Sequence, residues 1–195
     1  MKKILSIVLI AALLFSLASC GGNKPEQTVK STLSAVKYCD RESAIKYIDY
    51  DKLLDNSYED LNEDEKADAE EMIRLIFINL DYEIISSEVD GEKANVKTKI
   101  TNTDMAKIFA DFIPQLFTLA FSGLNEEEMN EKTIEIFVNL MNQKENETVT
   151  KTVDINLEMK DGTWKIDLND ELTDAIFGGM ISAAEEMGKS FVESN

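Results

Sequence analysis

The chain has 195 residues, with 38 acidic against 20 basic and no histidine, for a net charge of −18 at neutral pH. That balance argues against nucleic acid, whose binding rests on basic patches. The missing imidazole removes Ser-His-Asp and Cys-His nucleophile systems and the common histidine-containing zinc sites.

The first segment is an address. Lys2 and Lys3 precede a run from Ile4 to Leu17 that is apolar except at Ser6 and Ser16. This is a secretory signal pattern, shorter than the roughly 20 apolar residues of a membrane-spanning helix. It ends Leu17-Ala18-Ser19-Cys20, which resembles a bacterial lipobox. There the leader is cut before the cysteine, and its sulfur carries a diacylglycerol. Gly21 and Gly22 then supply a flexible tether. The expected organisation is a signal peptide over 1–19, a lipidated cysteine and tether over 20–24, and one domain over 25–195. The expected location is the extracytoplasmic face of a bacterial cell membrane, with the Cys20 lipid as anchor and no other cofactor. Cleavage removes two lysines, leaving 18 basic and 38 acidic residues and a net charge of −20. With Cys20 lipidated, only Cys39 remains, so no intramolecular disulfide is available.

From Pro25, a favoured first-turn residue, Val29, Leu33 and Val36 recur at helical spacing. Asp40 is placed to cap a second short helix over 41–49, followed by a polar connection over 50–61. Asn62 and Glu65 form a capping-box pair opening a helix whose end, Met72 to Leu80, is densely apolar. The period then changes to two. Residues 82–102 read as two strands joined at Asp90-Gly91, with Ala94, Val96, Thr98 and Ile100 on one face. A helix capped by Asn102 or Thr103 follows, and Pro114 should kink or divide it. Asn125 and Glu128 form another capping-box pair. A second hairpin turns at Asp161-Gly162, and Asn169 caps a final helix with a weak point at Gly178-Gly179. The order predicts an α+β fold: a curved antiparallel sheet of about four strands in two hairpins. N-terminal helices, a helical insertion between the hairpins and a C-terminal helix complete it.

Ala44-Ile45-Lys46-Tyr47-Ile48, Ile100-Thr101-Asn102-Thr103-Asp104 and Trp164-Lys165-Ile166-Asp167 occur in this order behind the lipobox. In this the chain resembles bacterial lipoproteins with a nuclear-transport-factor-2-like, or cystatin-like, fold, many of unknown function. The resemblance implies a cone with a sheet-lined cavity. Enzymes of that fold use acids, bases and often histidine in the cavity, and no such set maps onto this chain.

The candidate ligand or partner surface is Phe109, Phe112, Phe117, Phe121, Phe137 and Trp164, with plain core as the competing reading. Lys107, Asp111, Pro114 and Gln115 interrupt any membrane span there. The acidic stretches are explained by helix starts and hold no EF-hand pattern, so neither a metal nor a catalytic residue is assigned. The expectation is a non-enzymatic, membrane-anchored protein binding a small apolar ligand or a partner protein. The alternative is a structural or assembly component of the envelope without a ligand pocket.

Overall fold

The computed structural model describes residues 24–54 and 63–193. Leu17, Ala18, Ser19, Cys20 and the Asn62 cap lie outside the described residues, as does the side chain of Phe191.

Helix α1 (Pro25–Lys37) starts at its proline and buries Val29, Leu33 and Val36. The next turn is α2 (Arg41–Ala44), capped by the Asp40 carboxylate, which accepts from the Ser43 amide. This helix is shorter than its sequence pattern predicts. Its apolar residues Ala44 and Ile48 are both buried, but Asp49 caps a separate turn, α3 (Tyr50–Leu53), within the segment read as a polar connection. The reason is that Tyr50 and Leu53 also reach the core, so the chain re-enters it instead of passing over the surface. Helix α4 (Glu63–Phe77) then brings Leu75, Ile76 and Phe77 into the core.

The sheet is a four-stranded antiparallel meander in the order β1-β2-β3-β4, built from β1 (Asp81–Asp90), β2 (Lys93–Thr103), β3 (Thr148–Lys160) and β4 (Thr163–Ile166). In the first hairpin Asp90 pairs with Lys93. The two-residue loop is therefore Gly91-Glu92, one residue beyond the expected site, with Gly91 at φ +60°. The second hairpin turns at Asp161-Gly162 as the sequence predicts. Both residues have positive φ, +50° and +75°, the pair of left-handed positions that a type I′ turn requires. A bulge between Ile84 and Ser86 interrupts the β1–β2 register. Strand β2 pairs with β3 without a break, from Lys93 opposite Glu158 to Thr103 opposite Thr148.

One face of this sheet is dry. Ala94, Val96, Thr98 and Ile100 on β2 and Val153, Ile155 and Leu157 on β3 are buried, the period-two pattern of a strand with one covered side. The other face is polar, with Asn95 donating to Asn156 and the Thr101 and Thr150 hydroxyls bonded. Helix α1 lies against the sheet, and α7 (Asp170–Ile176) lies against β2 and β3. The expected C-terminal helix is divided. After α7, Gly178 and Gly179 at φ +59° and +81° break the chain before α8 (Met180–Glu193). A Cβ at Gly178 would stand 2.0 Å from the Thr103 carbonyl oxygen, so only glycine fits this crossing.

Between the two hairpins, α5 (Met105–Ala120) and α6 (Glu126–Met141) form an antiparallel pair. The cap of α5 is Asp104, which accepts from the Lys107 amide, and not Asn102 or Thr103 as expected. Pro114 neither ends nor divides α5. It lies on the exposed side, where water can meet the carbonyl that loses its amide partner. The Asn125–Glu128 capping box opens α6, with both reciprocal bonds formed.

Candidate functional site

The α5–α6 pair separates the six candidate aromatic residues by helical phase. Ile108 and Phe112 face inward, where Phe112 meets Phe137 of α6 edge to face at 5.8 Å between centroids. Phe109 is half-buried beside Phe112. Trp164 is 4% exposed in the dry face of the sheet. Phe112, Phe137 and Trp164 are therefore core. Phe117 and Phe121, one turn apart, are 68% and 78% exposed, and their rings pair with each other at 5.4 Å. Ile113 extends the same stripe. The surface that the structure offers is thus Ile113, Phe117 and Phe121 at the free end of the hairpin. The sequence reading included the two phenylalanines and missed Ile113, although its i, i+4, i+8 spacing to them carries the signal.

A second cluster was not singled out from sequence. Lys151 stands in the inward-facing row of β3, and its ammonium ion-pairs with Asp174 at the end of α7. Asp174 also accepts from the Ser182 amide at 3.0 Å and from the Ser182 hydroxyl at 2.5 Å. Burial alone would raise the Asp174 pKa, but the bonds from Lys151 and Ser182 outweigh it and hold the carboxyl below its ordinary value. The carboxylate thereby caps the first turn of α8, and Lys151, itself partly exposed, neutralises it from the solvent side. Ser182 has a lysine 3.4 Å away, the pairing of a Ser-Lys hydrolase. Here, however, the lysine Nζ ion-pairs with the Asp174 carboxylate, and the Ser182 hydroxyl donates to that same carboxylate.

Asn102 is polar and fully buried. Its amide nitrogen donates to the carbonyls of Ile76 at 3.0 Å and Ile176 at 2.7 Å, and its oxygen accepts from the Thr103 amide at 2.8 Å. One side chain closes the C-terminal ends of α4 and α7 together. Cys39, the free thiol among the described residues, is pushed up in pKa by burial, which keeps it protonated and weakly nucleophilic.

The described residues form two open grooves of note. One, of about 350 Å³, lies between α1 and α2 and is lined by Ser34, Tyr38, Asp40 and Tyr47. The other, of about 550 Å³, lies beside the β3–β4 pairing at Lys93, Asn156 and Asp167. Among the described residues no three acids or cysteines are gathered as metal ligands, and no helix is long and apolar enough to cross a membrane.

Layout and surface define a single-sheet α+β domain with an unpaired apolar hairpin end. A family model described as a domain of unknown function (DUF5105) matches residues 79–181, more than half of the chain, and the chain belongs to that family. The match takes in the whole sheet, both helices of the hairpin, Asn102, Lys151 and Asp174. No curated protein matches the chain. Among solved structures it is similar to the crystal structure of ycdA from Bacillus subtilis, described as a provisional lipoprotein, at 12% identity with a TM-score of 0.43. That alignment covers 66% of this chain and 39% of the other, and it establishes neither a shared fold nor a shared activity.

Proposed function

We propose that this protein is a bacterial lipoprotein, tethered through Cys20 to the extracytoplasmic face of the cell membrane, and that it acts as a non-enzymatic contact module. The observation that carries the reading is the Leu17-Ala18-Ser19-Cys20 junction behind a basic start and an apolar run. The working surface is the Ile113–Phe117–Phe121 stripe, which meets an apolar partner. Its exposure supports an external contact over an enclosed small ligand, since Phe112, Phe137 and Trp164 are used up in the core. The same packing favours the second reading, an envelope component without a ligand pocket. The absence of enzymatic activity is part of the proposal and draws on the self-satisfied Lys151–Asp174–Ser182 cluster. The likeness to nuclear-transport-factor-2-like lipoproteins rests on the three short sequence stretches behind the lipobox alone.

The test is metabolic labelling with a tagged fatty acid. Wild-type chain should carry the label and sediment with membranes. Cys20→Ala should carry none and leave the membrane fraction. Labelling that persists in Cys20→Ala overturns the anchor.

A further inference from the structure

We propose that the free end of the α5–α6 hairpin is a second membrane contact, with Phe117 and Phe121 dipping into the headgroup–acyl boundary of the bilayer that holds Cys20. The inference rests on the lipid-anchor reading and names the apolar partner of the stripe as the lipid surface itself.

Charge is the first argument. Residues 112–125 contain no ionisable side chain, in a chain that is 30% charged. The other exposed apolar residues sit among charges: Ile85 and Val89 share β1 with Glu83, Glu88 and Asp90, Ile45 lies between Glu42 and Lys46, Tyr38 between Lys37 and Asp40, and Ile78 between Arg74 and Asp81. Among the described residues, the hairpin end offers a stripe of large apolar side chains whose own run, 112–125, holds no ionisable residue, the nearest acids in sequence after it being Glu126, Glu127 and Glu128. Burying an unpaired charge is what makes most surfaces unfit for a lipid interface.

Area is the second. Two phenylalanines at 68% and 78% exposure and an isoleucine at 40% present about 350 Å², taking aromatic side chains at roughly 150–250 Å² each. A stable protein interface needs about 800 Å² per partner. The patch is too small for a dimer. It is suited to an interfacial anchor, where a few aromatic side chains sink about 5–10 Å beside an existing tether.

Reach is the third. From Cys20 to Lys24, where the described structure begins, five residues span at most about 17 Å. A domain of this size is about 40 Å across. A tether shorter than half that width holds the domain against the headgroups. In that position a stripe that lies on the tethered side meets lipid at high effective concentration. The acidic remainder of the surface is repelled by anionic lipid, and Glu126, Glu127 and Glu128 follow directly in the first turn of α6. The contact therefore favours neutral headgroups.

The experiment uses the lipidated full chain carrying Phe121→Trp, purified from membranes and reconstituted into vesicles of neutral phosphatidylcholine with brominated acyl chains. Bromine quenches indole only at acyl-chain depth. Trp164, the single native tryptophan, is 4% exposed in the core and supplies the unquenched baseline from the parent chain. The expected result is at least a twofold loss of the added emission, reproduced with Phe117→Trp and weakened in anionic vesicles at low salt. Vesicles that float with the chain attached but leave both tryptophans unquenched overturn the hairpin contact and keep the anchor. A chain that does not float overturns the anchor, and the hairpin contact with it. Disulfide crosslinking between copies of a Phe121→Cys chain, without quenching of Phe121→Trp, assigns the stripe to self-association and overturns the lipid contact.

Discussion

Replacing Asn102 with alanine removes one side chain and opens three joints. The carbonyls of Ile76 and Ile176 lose their donor, and the Thr103 amide loses its acceptor. Asn102 is 0% exposed, so water cannot replace the lost partners without loosening the packing. An unsatisfied buried polar group costs about 1–3 kcal/mol. Both carbonyls belong to final helical turns, where no amide of the same helix is available to them. Three such groups, counted at the lower half of that range because the site can relax, give a loss of about 4 kcal/mol. That is a large part of the 5–15 kcal/mol typical of a domain. For a domain of this size it corresponds to a fall in Tm of about 8–16 °C. Urea unfolding followed by Trp164 emission measures it directly, since this single tryptophan reports on the core. Asn102→Leu, of similar volume, should lose nearly as much, showing that the cost is polar and not a void. Asn102→Asp should lose most at neutral pH, with a carboxylate facing two carbonyl oxygens. Those oxygens and burial raise its folded pKa, so the gap to wild type narrows as the pH falls. A loss below about 1 kcal/mol in Asn102→Ala would refute the view that this residue fastens α4 and α7 to β2.

Asp174 predicts a pH signature of opposite sign. Its folded pKa lies below the ordinary 3.8, so its stabilisation is complete above that value and is lost as the pH falls through the folded pKa. Asp174→Asn should therefore flatten the drop in Tm between pH 5 and pH 2, and an unchanged profile would show that the carboxylate adds nothing. Phe112→Ala and Phe137→Ala should each cost about 3–5 kcal/mol, whereas Phe117→Ser and Phe121→Ser should stay within about 0.5 kcal/mol of wild type. Equal losses in the two pairs, measured by urea unfolding, would show the stripe to be core. Gly178→Ala should fail to accumulate as folded protein, because its Cβ meets the Thr103 oxygen in a left-handed backbone. Normal yield with a native Tm would exclude that crossing.

The sequence revealed what local chemistry controls. Period-two alternation over Ala94 to Ile100 gave a strand face, and Asp161-Gly162 gave its turn with the correct residues. Asn125 and Glu128 gave a helix start down to the reciprocal bonds. Long-range partnerships were not legible. Asn102 looked like a cap for the helix after it, because nothing local indicates that its amide is taken by carbonyls 26 and 74 positions away. Nothing local pairs Lys151 with Asp174, 23 positions away. The Phe-rich segment read as one apolar mass because helical phase cannot be tied to core or solvent before the neighbours are placed. Once α6 takes one side of α5, Phe112 and Phe117 part company.

The bulge at Ile84–Ser86 has a consequence for copies crowded on one surface. Among the described residues, strand β1 is an edge of the sheet, ten residues long, with backbone groups open to pairing. Such an edge invites another chain to add a strand. Here the bulge twists the edge out of line, and Asp81, Glu83, Glu88 and Asp90 place like charges wherever a second β1 would lie. Pairing of one β1 with a second β1 is thereby opposed by charge and by shape at once.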